Sequence, residues 1–144
     1  MTAAAARTYL DVTEESGRRF FTRENKGSVV MLNMLRFQAT AEYSATPELA
    51  PAAAISGEKA YRIYMAHTLP YLEKSGGKVI FYGQGGDFLI GPCEERWDAV
   101  MLVQQSSAAA FLAFASDRGY LSGMGHRVAA LEDSRLLPLI PEPG

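Results

Sequence analysis

The stretch Ser28–Phe37, SVVMLNMLRF, decides the fold. Val29, Met31, Leu35 and Phe37 alternate with Val30, Leu32 and Met34, so a strand here is apolar on both faces. Such two-sided runs belong to strands covered on both sides. Two polar residues interrupt the run. Asn33 shares the face of Val29 and Phe37, and Arg36 lies on the opposite face. A buried Asn amide needs partners for two donors and an acceptor, so Asn33 is expected either to be locked to nearby backbone or to face a cavity.

Outward from that strand, the chain reads as alternating elements. Residues 1–12 form an alanine-rich arm, expected to be flexible. Asp11 and Glu14 have capping-box spacing ahead of a short helix over roughly 13–24. Gln38–Ser56 holds Pro47 and Pro51 with little periodicity and is read as a mobile surface loop. Ser56 caps a helix to about Ser75, with Tyr61, Tyr64, Met65, Thr68 and Leu72 on its inward stripe and a kink expected at Pro70. Lys78–Gly91 is a strand in which Gly83–Asp87, GQGGD, suggests a bulge or turn. Trp97–Gln105, WDAVMLVQQ, is a strand again apolar on both faces. Ser106 or Ser107 caps a helix to about Ser116, and a helix over 120–131 and a strand over 135–140 follow. Leaving the first helix aside, the order is β-α-β-β-α-β, the ferredoxin-like arrangement of an α+β domain spanning 13–140, with 141–144 as a tail.

A ferredoxin-like sheet carries helices on one face only. Val30, Leu32, Met34, Val100 and Leu102 would then form a large exposed patch, which is expected to be covered by a second copy of the chain. A homodimer follows.

At 144 residues, with 48% apolar and 21% charged residues, the chain has the balance of a single globular domain. A formal charge of −2 offers nothing to attract nucleic acid, and no stretch suggests a membrane partner. A single cysteine, Cys93, forms no intrachain disulfide, and no signal-peptide core is present; a cytoplasmic location is expected. His67, His126 and Cys93 are too sparse for a zinc site, and there is no nucleophile elbow, Walker loop, HExxH or dinucleotide fingerprint, so no metal and no cofactor are expected.

MLNMLRF, the tyrosine-bearing helix ending in GGKVIFYG, WDAVMLVQQ, a DRGY break and HRVAALEDSRLLP occur in that order. This combination resembles the uncharacterised family of domains of unknown function numbered thirteen-thirty, within the dimeric α/β-barrel superfamily. The resemblance covers roughly 13–139. It implies a ferredoxin-like subunit whose sheets form a barrel across a homodimer, and it implies no particular reaction. The wider superfamily includes cofactor-independent and haem-degrading monooxygenases, isomerases and non-catalytic binding proteins.

Asn33, Tyr64, Trp97, His126 and Arg127 are the residues expected to line a ligand pocket between sheet and helices, with Asn33, His126 and Arg127 as catalytic candidates. Asn33 is suited to orient a substrate oxygen. The Tyr64 hydroxyl suits a pocket wall, against a plain aromatic core with one wet tip. Trp97 shares a strand face with Ala99 and Met101 and is expected to look toward the helices, as core or pocket wall. His126 flanks the apolar stripe of the last helix. Arg127 lies inside that stripe, between Met124 and Leu131, where a guanidinium must find a partner. Asp98, Glu132 or Asp133 would make it structural; a ligand carboxylate or carbonyl would make it functional. The function expected is small-molecule binding, with an enzyme acting on a small carbonyl-containing or aromatic metabolite left open. A haem-degrading or cofactor-independent monooxygenase built on Asn33, Trp97 and His126 is one alternative, and a non-catalytic ligand-binding or structural dimer is the other.

Overall fold

The computed structural model describes residues 7–143. The N-terminal part of the expected arm, 1–6, lies outside them. Helix α1 spans Glu14–Phe21, strand β1 Val29–Phe37, helix α2 Gly57–Lys74, strands β2 Lys78–Asp87 and β3 Arg96–Gln105, helices α3 Ala108–Ala115, α4 Arg118–Leu121 and α5 Met124–Ala130, and strand β4 Leu131–Leu139. The four strands form one antiparallel sheet in the order β2-β3-β1-β4, the ferredoxin-like topology expected from the sequence.

β1 sits inside the sheet and uses its two faces differently. Val29, Met31 and Leu35 are buried beneath the helices, while Val30, Leu32 and Met34 are only half-buried. In register with the latter set lie Gln104, Leu102 and Val100 of β3 and Leu139, Leu137 and Arg135 of β4. Phe81, opposite Leu102, and Leu137 are each more than half exposed. This face carries no helix and is mostly apolar.

α2 forms because Ser56 caps it, accepting from the Lys59 N–H, and because Ala60, Tyr61, Tyr64, Thr68 and Leu72 recur on one buried face. Pro70 lacks the N–H that would bond the Ala66 carbonyl, yet the helix runs on to Lys74. Its start is wedged against two other segments. A Cβ on Gly57 would stand 2.3 Å from the Gln38 carbonyl and 2.5 Å from that of Ala130, so only glycine fits.

Four sequence expectations are corrected. The first helix is capped by Thr13 and Ser16, whose side chains and N–H groups bond reciprocally, so Asp11 and Glu14 are not its capping box. GQGGD continues β2 without a turn, and the irregularity falls earlier, between Val79 and Phe81. The helix expected over 120–131 is broken at Ser122–Gly123, where a Cβ on Gly123 would meet the His67 ring at 2.2 Å, and β4 starts at once at Leu131. Finally, the loop after β1 is anchored. Tyr43 is buried, and Ala41 and Glu42 donate to the carbonyls of Ile55 and Ala129. At the end of the arm the Tyr9 N–H donates to Asp133, and the Tyr9 carbonyl accepts from the Ser134 N–H.

Candidate functional site

Between the helical layer and the sheet lies a cavity of about 1130 Å³ that is partly open to solvent. Met31 and Asn33 of β1, Met101 and Val103 of β3 and Leu136 and Pro138 of β4 form its floor. Tyr61, Tyr64, Met65 and Thr68 of α2 form one wall; Phe111, Phe114, Tyr120, Met124 and Arg127 of the later helices form another. Tyr9–Val12 and α1 border its mouth. A roomy, mainly apolar space with few polar groups is the usual form of a small-molecule site.

The floor follows from alternation along β1, which puts Met31, Asn33 and Leu35 on the helix side together. Asn33 Nδ2 donates to the carbonyls of Met31 (3.2 Å) and Met101 (3.4 Å). Its donors are thus spent on backbone, and what it offers the cavity is its carbonyl oxygen. Asn33 is an acceptor here, not an oxyanion donor.

Three tyrosines cluster on the helical side. The Tyr64 and Tyr120 hydroxyls are 2.7 Å apart, and Tyr120 donates on to the Met124 sulfur at 3.1 Å. The Tyr61 ring packs between those of Phe37 and Tyr64. Burial, then the neighbouring Tyr64, pushes the Tyr61 hydroxyl far above the ordinary tyrosine range, with the charge and hydrogen bonding of Arg127 beside it pulling the other way; Tyr120 is raised by burial and by Tyr64. These hydroxyls keep their protons and act as neutral hydrogen-bonding groups.

Arg127 sits at the end of the cavity nearest the arm. Nη1 donates to the Leu10 carbonyl at 2.7 Å and Nη2 to the Ser134 hydroxyl at 3.4 Å. None of the expected acidic partners reaches it. Among the described residues no ion pair includes Arg127; Asp98 pairs with Arg96, and Asp133 with Arg36 and Arg135. Asp11, the one carboxylate among the lining residues, is exposed at the rim. A guanidinium fork in an apolar cavity, held by neutral groups alone, is suited to a carboxylate from outside the chain.

Of the five expected site residues, the structure brings Asn33, Tyr64 and Arg127 to the cavity and leaves Trp97 and His126 out of its lining. Trp97 is buried elsewhere, its ring beneath the guanidinium groups of Arg36 (4.5 Å) and Arg135 (5.0 Å), with Nε1 donating to Glu95. Cation–π stacking, not the helices, claims it. His126 is held by the loop after β1, its Nδ1 2.7 Å from the Tyr43 hydroxyl. Asn33, Trp97 and His126 therefore share no site. Sequence reasoning passed over Tyr120 and Gln105 as lining residues. Tyr120 was legible from its place on the stripe of Met124; Gln105, at the last position of an apolar strand, gave no signal. Among the described residues no cluster of His, Cys, Asp or Glu is placed to hold a metal ion, and no helix is long and apolar enough to cross a membrane.

Known proteins were compared with the chain as a whole. No family model matches it, and no curated protein matches it. Solved structures do. SnoaB, a cofactor-independent oxygenase from Streptomyces nogalater, is 14% identical with a TM-score of 0.50, over 82% of this chain and 96% of its own. At that distance the likeness concerns the fold alone. Two structures of RPA0582 are each 35% identical; the methylated protein has a TM-score of 0.83 over 94% of this chain and 96% of its own, and the other 0.84 over 96% and 100%. With that identity over nearly the whole of both chains, the protein belongs to the same family as RPA0582, a protein of unknown function from Rhodopseudomonas palustris.

Proposed function

We propose that the protein binds an apolar small molecule bearing a carboxylate in the cavity between sheet and helices, and does so as a homodimer. The observation that carries the reading is Arg127, a charge at the edge of an apolar cavity whose partners are a backbone carbonyl and a hydroxyl. A ligand carboxylate would complete its hydrogen bonding, and the Asn33 carbonyl would accept from a donor on the ligand. The buried tyrosines, held protonated, favour binding over acid–base chemistry at neutral pH. Dimerisation is supported by the apolar outer face of the sheet, where Leu32, Leu102, Leu137 and Phe81 lie together without a helix to cover them. Kinship with the thirteen-thirty family and the α/β-barrel assembly it implies belong to the same reading, resting on the sequence motifs and the topology. The test is a matched pair of additives in thermal denaturation. Dodecanoate is expected to raise the melting temperature and dodecanol to leave it nearly unchanged; equal responses would remove the carboxylate from the account.

A further inference from the structure

At the other end of the cavity two polar side chains lack partners. Gln105 is completely buried, and neither its amide nitrogen nor its oxygen makes a hydrogen bond; the Thr68 hydroxyl, also buried, makes none. Both residues line the cavity. Both stand toward the same end of the cavity. Leu72 stands one helical turn beyond Thr68, and Leu72 and the Gln105 amide flank Gly77, whose Cβ would meet them at 2.5 and 3.0 Å. A helical threonine can satisfy itself on the carbonyl four residues back, here that of Tyr64, and Thr68 does not. Buried polar groups are nearly always hydrogen-bonded, so two exceptions in the wall of one cavity call for an occupant.

The distance from this pair to Arg127 sets the occupant's length. Gln105 is in register with Val29, and Ser134, which Arg127 bonds, is in register with Leu35 six residues further along β1, a backbone span of about 20 Å at strand rise. On the facing wall Thr68 follows Tyr61, beside Arg127, by seven residues, about 10 Å at helical rise. α2 runs antiparallel to β1, so both walls place the same two polar stations at the same two ends. Between them lie Met31, Met65, Met101 and Val103. A Gln amide and a hydroxyl are uncharged, and each both donates and accepts. The terminal torsion of Gln105 is broad and the Thr68 hydroxyl rotates, so neither group is fixed in one direction.

Building on the carboxylate-binding reading above, we propose that the ligand is an elongated apolar carboxylate with a second, uncharged hydrogen-bonding group, such as a hydroxyl, at its far end. Arg127 takes the acid, and Gln105 with Thr68 takes the other group.

Calorimetric titration of the full chain with dodecanoate and ω-hydroxydodecanoate tests this. The hydroxy acid is expected to bind about tenfold more tightly, the worth of one well-made hydrogen bond. In Gln105→Met the ratio of the two affinities is expected to fall to about one, and Thr68→Val, a second variant should the first fold poorly, is expected to reduce it. Equal binding of the two acids by the unaltered protein, or a preference that survives both substitutions, overturns the two-ended ligand and leaves the carboxylate site standing. If neither acid binds, both readings fall together.

Discussion

Arg127 on α5 and Leu10, ahead of α1, are joined by a 2.7 Å hydrogen bond from a guanidinium nitrogen to a backbone carbonyl. That bond ties the last helix to a segment bordering the mouth of the cavity. Arg127 also reaches Ser134, whose hydroxyl donates to the Tyr9 carbonyl. Arg127→Met is therefore expected to speed amide hydrogen exchange across 9–12 while leaving β1 protected. Unchanged exchange in that segment would show that Asp133 and Ser134 fasten it without Arg127.

Asp133 is the stronger fastening. It is almost fully buried and accepts from the Tyr9 N–H (2.8 Å), the Ser134 N–H (2.9 Å), Arg135 (2.7 Å) and Arg36 (3.5 Å). Burial pushes its carboxyl up, but the bonds from Tyr9, Arg135 and Ser134 outweigh it, and the net direction is down from 3.8. A carboxyl lowered on folding contributes stability that is complete above its unfolded value and is lost as pH falls through the folded one. Denaturant titrations should show stability declining below about pH 5, with Asp133→Asn less stable by about 1.5–3 kcal/mol at pH 7 and flatter in acid. An equally steep acid decline in the variant would assign it to other carboxylates.

His126 supplies a separate limb. Desolvation, then the proximity of His67, lowers its pKa from 6.5. A histidine lowered on folding favours the folded state most above its unfolded pKa, and that contribution is lost as pH falls through 6.5 toward the folded value. An NMR titration should find its midpoint below 6.5; a midpoint at or above 6.5 would mean that the pocket around Tyr43 is wetter than described.

The fold was legible because β1 and β3 carry apolar residues on both faces and α2 carries a clean helical stripe. Local periodicity reports such things directly. What escaped were features set by distant partners. Trp97 alternates correctly with Ala99 and Met101, yet Arg36 and Arg135, one on each of two other strands, capture its ring. His126 was drawn to a tyrosine in a loop that has no periodicity to read. The break at Gly123 exists because the His67 ring leaves no room for a Cβ, a contact between segments far apart in sequence. Arg127 was legible as a charge inside an apolar stripe, but the identity of its partners was not.

The outer face of the sheet makes its own prediction. Light scattering at micromolar concentration should give about twice 15.7 kDa. Leu32→Asp, placing a carboxylate in the middle of that face, should yield monomer or aggregate, since burying an unpaired charge costs several kcal/mol. A monomeric unaltered protein would remove the second copy from the account.

The most direct measurement is calorimetric titration of dodecanoate into the unaltered protein and into Arg127→Met, with both melting temperatures recorded. Replacing a guanidinium that has no acidic partner by an apolar side chain should hold or raise the melting temperature, while dodecanoate binding weakens by about 10- to 100-fold, the range of a charge-assisted hydrogen bond. Undiminished binding by a folded Arg127→Met would contradict the claim that Arg127 holds the ligand's carboxylate.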